Sequence, residues 1–298
     1  MMVHEQKFTF TAVTGYFKHD AQPTTSFNAI TLPGLGLIDR VYETDATFDP
    51  RREKQHWERF AHYLDHLNSS SGDNVAYKLI YAARHGEGFH NVMETKVETV
   101  AWESYWAKLD GDSTVVWADA HLTPTGVGQA QAMQVFWRDS ASALKLPLSR
   151  RHYASPLTRC LQTCDMAFSG LTLPSGEEAP AFKPIIKELV RERLGIHTCD
   201  RRSTRTYIQE HFPRFAFEDG FSEQDELWSP DVRETLEEHA VRVESFLNEL
   251  FMNDTEPIIS LTAHSGTILA LYEATGHPAV HVAPGAIVPI LIRAEKVV

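Results

Sequence analysis

Leu79-Ile80-Tyr81-Ala82-Ala83-Arg84-His85-Gly86-Glu87-Gly88-Phe89-His90-Asn91 is the stretch from which the fold is read. Its apolar part is short, compatible with β-structure and closed by a glycine, which predicts a buried strand ending where Arg84 and His85 begin. In open α/β sheets ligands bind just beyond the carboxyl ends of strands, so a cation, an imidazole and a flexible turn stand where chemistry is expected. From Asn91 onward, Val92, Val97, Val100, Ala101, Trp102 and Tyr105 recur roughly at helical spacing. That predicts a helix whose free first-turn N–H groups face an anion.

A second apolar run, residues 257–263, ends the same way, at His264-Ser265-Gly266, with a helix beginning over Ile268 to Tyr272. Thr123-Pro124 and Ser155-Pro156 each place a capping residue before a proline at a helix start, and the second helix carries Arg159 in its first turn. Residues 151–155, 182–187 and 286–292 predict further strands. Residues 231–253 predict a long helix with Val232, Leu236, Val243, Phe246 and Leu250 on its buried side. Strands and helices alternate, so the expected fold class is α/β, a three-layer α/β/α sandwich around a mainly parallel sheet. Residues 1–76, with a strand at 8–13, a helix around Trp57 to Leu67 and a linker at 68–73, read as an N-terminal arm packed on a main domain of residues 77–298. Residues 199–230, rich in charges and aromatics, read as an insertion over the active site.

The 298 residues hold 28 lysines and arginines against 40 aspartates and glutamates, a net charge of −12. This argues against sequence-independent nucleic-acid binding and against a coat on anionic membranes, and it requires a local basic site for any anionic substrate. No basic-then-apolar leader is visible at Met1 to Lys7 and no apolar run approaches bilayer length, so a soluble cytoplasmic protein is expected, with the nucleus also open. Cys160, Cys164 and Cys199 are too few for a disulfide framework and suit a reducing compartment.

Parallel strands would bring Arg84, His85, Arg159 and His264 to one edge of the sheet. Two guanidiniums and two imidazoles suit a phosphate, because arginine offers a planar fork of donors and backbone N–H groups near Gly86 add to it. Arg84-His85-Gly86 with Asn91, residues 155–163 (Ser-Pro-Leu-Thr-Arg-Cys-Leu-Gln-Thr), Glu192 before Gly195, and Ala263-His264-Ser265-Gly266 together resemble the histidine phosphatase superfamily. Asp119, Leu122-Thr123, Gly126 and Gln129-Ala130 resemble its intervening motif. The chain is similar, more narrowly, to the fungal phosphoglycerate-mutase-like proteins with an N-terminal extension. That resemblance implies that His85 attacks phosphorus and becomes a phosphohistidine, that Arg84, Arg159, Asn91 and His264 hold the phosphate, and that Glu192 is the proton donor. The chemistry it implies needs no cofactor and no metal. Glu188 is a rival acid, and an acid role for Glu192 requires its neighbours Arg191 and Arg193 to face away. Arg159→Ala is expected to silence turnover without unfolding the chain.

Glu87, Arg201, Arg202 and Arg205 are candidate substrate contacts, although the three arginines read more readily as a solvated face. His197-Thr198-Cys199-Asp200 invites a metal reading, yet no second cluster completes a ligand set. Asp119 reads as helix initiation and stays outside the catalytic set. The expected partner is a small-molecule phosphate ester, with no nucleic acid and no membrane; oligomeric state is unread. A phosphatase leads over a phosphoglycerate-type mutase, because the mutase block is one residue longer than Glu192-Arg193-Leu194-Gly195, and over an inactive phospho-ligand scaffold. Tyr207, Phe212, Phe215, Phe217, Phe221 and Trp228 would permit an apolar leaving group, whereas the arginines would permit a sugar.

Overall fold

The computed structural model describes residues 7–172 and 181–297; the leader reading over Met1 to Gln6 lies outside them. In chain order the elements are β1 (Phe8–Ala12), α1 (Asp45–Phe48), α2 (His56–Ser70), β2 (Val75–Arg84), α3 (Phe89–Val97), α4 (Thr99–Ser104), α5 (Pro124–Leu144), β3 (Arg151–Ala154), α6 (Thr158–Phe168), β4 (Ile185–Ile186), α7 (Arg205–His211), β5 (Ala216–Phe217), α8 (Leu236–Asn253), β6 (Ile258–Ala263), α9 (Ser265–Thr275) and β7 (Ile287–Lys296). The strands form one sheet in the order β1-β7-β2-β6-β3-β4-β5. From β2 to β5 the pairing is parallel, whereas β7 runs antiparallel to both β1 and β2.

Alternation along β2 builds two cores from one strand. Ile80 and Ala82 face the side covered by α8 and α9, where Val243, Phe246 and Leu250 meet Ile268, Leu271 and Tyr272. Leu79, Tyr81 and Ala83 face the other side, where α2 supplies Trp57, Phe60 and Leu64, α5 supplies Met133 and Trp137, and α6 supplies Leu161 and Cys164. The result is the three-layer sandwich. Residues 7–76 enter it directly, since β1 is an edge strand paired with β7 and α2 is part of one helical layer.

Several sequence expectations change at their edges. Residues 68–70 are not linker, because α2 runs on to Ser70 and Asn68 is held by Tyr77, its Oδ1 accepting from the Tyr77 N–H at 2.8 Å and its Nδ2 donating to the carbonyl at 3.0 Å. The long helix after residue 231 starts only at Leu236, where Thr235 and Glu238 form a reciprocal cap; Val232 and Leu236 are exposed, not buried. The strand expected over 182–187 shrinks to Ile185–Ile186, preceded by Pro184, which has no N–H to pair. The helix expected from Asn91 is broken in two at Glu98, whose φ is 65°, and Val100 is exposed on the second piece.

The register places the site. Arg84 pairs with Ala263 across β2 and β6, and Ala154 pairs with Thr262 across β3 and β6. His85, Ser155 and His264 therefore emerge together at the carboxyl edge of the sheet.

Candidate active site

His85 leaves β2 with its backbone still tied to β6, its N–H donating to the Ala263 carbonyl at 3.0 Å. Its Nδ1 lies 2.6 Å from the Gly86 carbonyl, an acceptor only, so Nδ1 carries the proton. Nε2 then holds a lone pair, and it accepts from Arg159 Nε at 3.2 Å. Burial first, and then Arg159 and Arg84, push the His85 pKa well below the ordinary value. The result is a neutral imidazole, 2% exposed, with its lone pair on a guanidinium. The turn that holds it is tight. A Cβ at Gly86 would meet the Gly126 carbonyl oxygen at 2.4 Å, so the first turn of α5 rests directly on the backbone after His85.

His264, the N-cap of α9, lies with its ring 5.1 Å from that of His85 and is itself fully buried. Its Nε2 is 2.8 Å from Ser155 Oγ, and burial, Arg159 and His85 keep it neutral as well. His90, one residue into α3, adds a third imidazole 5.5 Å from His85. Its Nδ1 is buried with no partner, and burial followed by Arg159 and His85 depresses its pKa strongly.

The two arginines differ. Arg159 is 1% exposed and anchored on one side by Asp200 Oδ1 at 3.0 Å and the Cys199 carbonyl at 2.5 Å, which leaves Nε for His85. Burial opposes its charge, but Asp200 and Cys199 outweigh that and raise its pKa. Arg84 has one hydrogen bond among the described residues, from Nη1 to the Val282 carbonyl at 2.9 Å, and a buried Nε without a partner. Burial pushes its pKa down to about 10. Arg84 is thus a charged fork with donors to spare beside the lone pair of His85.

Glu192 is the carboxylate whose charge acts most strongly on Arg84. Its Oε2 accepts from the Gly266 N–H at 3.1 Å and its Oε1 from the Arg193 N–H at 3.0 Å, seating it on the first turn of α9. A Cβ at Gly266 would stand 1.9 Å from Glu192 Oε1, so any other residue there would displace the carboxylate. The flanking arginines turn away: Arg191 binds Glu188 and Asp225, and Arg193 donates to the Glu234 carbonyl. Glu188, the rival acid, is held in ion pairs by Arg191 and Arg202.

The other sequence candidates lie elsewhere. Asn91 Oδ1 accepts from the Gly88 N–H at 3.0 Å, which makes it a helix-start residue, while its Nδ2 makes no hydrogen bond among the described residues. Glu87 accepts from Thr123 Oγ1 at 2.6 Å. Arg201 pairs with Asp110 at the surface, and Arg205 is exposed over the Phe217 ring. Arg202 is buried, with its guanidinium on Glu188 and the carbonyls of Ser203, Ser222 and Gln224, so it holds the insertion's own loop. The insertion's aromatics are spent on packing: Phe215 is in the core, and Tyr207, Phe212, Phe217 and Phe221 lie against it.

Two carboxylates were not in the sequence-derived set. Asp200 anchors Arg159 and also accepts from Arg233 at 2.9 Å. Asp119 accepts from the N–H and hydroxyl of Thr158, both at 2.8 Å, and so locks the turn before Arg159. The only hint for Asp200 is its place in the conspicuous 192–202 run; a partner 41 residues from Arg159 leaves no periodic trace. His197, Cys199 and Asp200 bring three ligand-type atoms within 4.8 Å of one another. They do not fit a cation: Asp200 faces two guanidiniums, His197 Nε2 is taken by Glu103, and burial, then Asp200, pushes the Cys199 thiol far above its ordinary value.

Comparison with known proteins agrees with this geometry. Residues 80–284 match the model of the histidine phosphatase superfamily (branch 1). Over 96% of this chain and 85% of its own length, a "Probable phosphoglycerate mutase" of Arthroderma benhamiae is 42% identical. "Phosphomutase-like protein 3" of Candida albicans is 39% identical over 74% of this chain and 66% of its own length. "Probable phosphoglycerate mutase PMU1" of Saccharomyces cerevisiae is 32% identical over 91% and 90%. With its family-model match covering most of the chain and its strand-end histidines set against two arginines, this chain belongs to the histidine phosphatase superfamily.

Proposed function

We propose that the protein is a phosphatase that hydrolyses a phosphate monoester of a small metabolite through a phosphohistidine on His85. The observation that carries this is the tautomer of His85: Nδ1–H is committed to the Gly86 carbonyl, and Nε2 presents its lone pair beside Arg159. The phosphoryl oxygens are received by the spare donors of Arg84, by Arg159, by His264 and by Asn91. The Nε2 lone pair forms the P–N bond as the P–O bond to the alcohol breaks, and the departing alkoxide takes a proton from the carboxyl of Glu192. Water then attacks phosphorus, gives its proton to the Glu192 carboxylate, and the P–N bond breaks to release inorganic phosphate. Glu192, seated on the first turn of α9, is the carboxyl group assigned to proton transfer in both steps. The guanidiniums act where charge develops on the phosphoryl oxygens.

A phosphomutase is the second reading, favoured by the names of the relatives. It uses the same phosphohistidine and returns the phosphoryl group to substrate in place of water. The test is inorganic phosphate release from a panel of monoesters, including p-nitrophenyl phosphate, sugar phosphates, phosphoglycerates and prenyl phosphates, with His85→Ala beside the unaltered protein. Release abolished by the substitution supports the phosphatase. Interconversion of 3- and 2-phosphoglycerate without release would replace it by the mutase, and phosphate binding without turnover by a scaffold.

A further inference from the structure

The N-terminal arm reaches the phosphate site through a short ladder. Thr24 N–H donates to the Ala279 carbonyl, Ala29 N–H to the His281 carbonyl and Ala283 N–H to the Ala29 carbonyl, at 3.1, 3.1 and 2.9 Å. This ladder fixes the loop carrying Phe27 against residues 279–283, whose Val282 carbonyl also takes Arg84 Nη1. Arg84 Cζ lies 5.2 Å from the centre of the Phe27 ring. His281 meets the same ring edge-on, with centroids 4.9 Å apart, and its own Nδ1 is engaged by the Thr24 carbonyl. Arg84 is 7% exposed and Phe27 is 49% exposed. One part of the ring therefore covers a guanidinium of the phosphate site while the rest faces solvent at the rim. A lone exposed phenylalanine needs no explanation, but this one is held by backbone pairing and by an aromatic partner directly over an under-satisfied cation.

We propose that Phe27, supported by His281, is a stacking platform that selects phosphate monoesters whose alcohol carries a planar aromatic ring. The inference rests on the phosphate-transfer reading of the His85 centre. With phosphate oxygens on Arg84, the ester oxygen leads outward past Phe27. A flat ring attached there covers the exposed part of the phenyl face and gains offset or edge contact with both aromatics. A compact aliphatic alcohol gains little.

The test uses the turnover-silent His85→Ala protein and compares the affinities of phenyl phosphate and inorganic phosphate by isothermal titration calorimetry. The expected ratio favours phenyl phosphate and falls about tenfold in His85→Ala/Phe27→Ala, the size of a stacked aromatic contact added to the area it covers. Phe27→Trp is expected to keep the ratio and Phe27→Leu to lose most of it. His281→Ala, on the platform's far side, should lower it about threefold. If inorganic phosphate binds but the ratio is the same with and without the Phe27 ring, the platform is overturned and the phosphate site stands. If neither ion binds the protein, the phosphate-site reading fails and the platform with it.

Discussion

Two neighbouring regions treat buried arginine in opposite ways. In and beside the insertion, Arg202 and Arg191 are 4% and 0% exposed and are matched by Glu188 and Asp225, with carbonyls taking most of the remaining donors. At the strand ends, the comparably buried Arg84 side chain holds one carbonyl, and three neutral imidazoles cluster around His85. Removing charge from water is costly unless it is paired, so the arginines of the first region hold the loop around them, while Arg84 keeps donors that no described residue takes. On the proposed function, those spare donors are the ones that receive phosphate.

The strongest challenge to that division is His85→Ala. Loss of the nucleophile is expected to lower phosphate release by about 10³-fold or more while the circular dichroism of the protein is unchanged, since the ring's hydrogen bonds are to the Gly86 carbonyl and to Arg159, which Asp200 and the Cys199 carbonyl also hold. Arg159→Ala should cost about 10²–10³-fold in rate through the lost donor. It should also destabilise the protein by on the order of 3 kcal/mol, because Asp200 remains buried with only Arg233 opposite it. This adds a stability cost to the expected loss of turnover in a chain that still folds. Arg159→Ala/Asp200→Asn should recover part of the melting temperature and none of the rate; full recovery of rate would end the claim that Arg159 serves the reaction.

Arg202→Met tests the other region. Denaturant unfolding should show a loss of about 3 kcal/mol from an unpaired Glu188 and freed carbonyls, with KM unaltered. A tenfold rise in KM at undiminished stability would return Arg202 to the substrate. The last test is with pH. His85, His90 and His264 are held well below 6.5, and His152 is pushed down to about 4 by burial and Arg151. The unfolded chain therefore binds more protons than the folded one below about pH 6.5, so stability is full above that pH and is lost as pH falls toward 4. Stability should fall steadily across that window, by at most about 1.4 kcal/mol per pH unit for each such histidine, and the melting temperature with it. A flat profile would mean these imidazoles are not buried as neutral groups.

Legibility followed locality. The strands ending at His85 and His264 were readable because a continuous apolar run closed by a glycine turn is a local signal. Their adjacency follows from register, which sequence does not print: β2 lies between β6 and β7, and the last strand inserts beside the first. The break at Glu98 and the late start of α8 at Thr235 were hidden because apolar spacing continued across both. Asp200, Asp119, His90 and Phe27 were missed for a common reason. Each acts through a partner that the chain brings close only after folding.

By itself the sequence determined the alternation of strands and helices, the two strand-end histidines, the arginines beside them and the family motifs, since hydrophobic periodicity and turn residues act over a few positions. Tertiary structure alone decided which arginines were neutralised and which kept free donors, which nitrogen of His85 carries the proton, and how the N-terminal arm meets Arg84. Those outcomes depend on burial, and burial is a property of the packed chain: the same guanidinium has its donors taken up beside carboxylates and carbonyls, as at Arg202, and keeps free ones where they are fewer, as at Arg84.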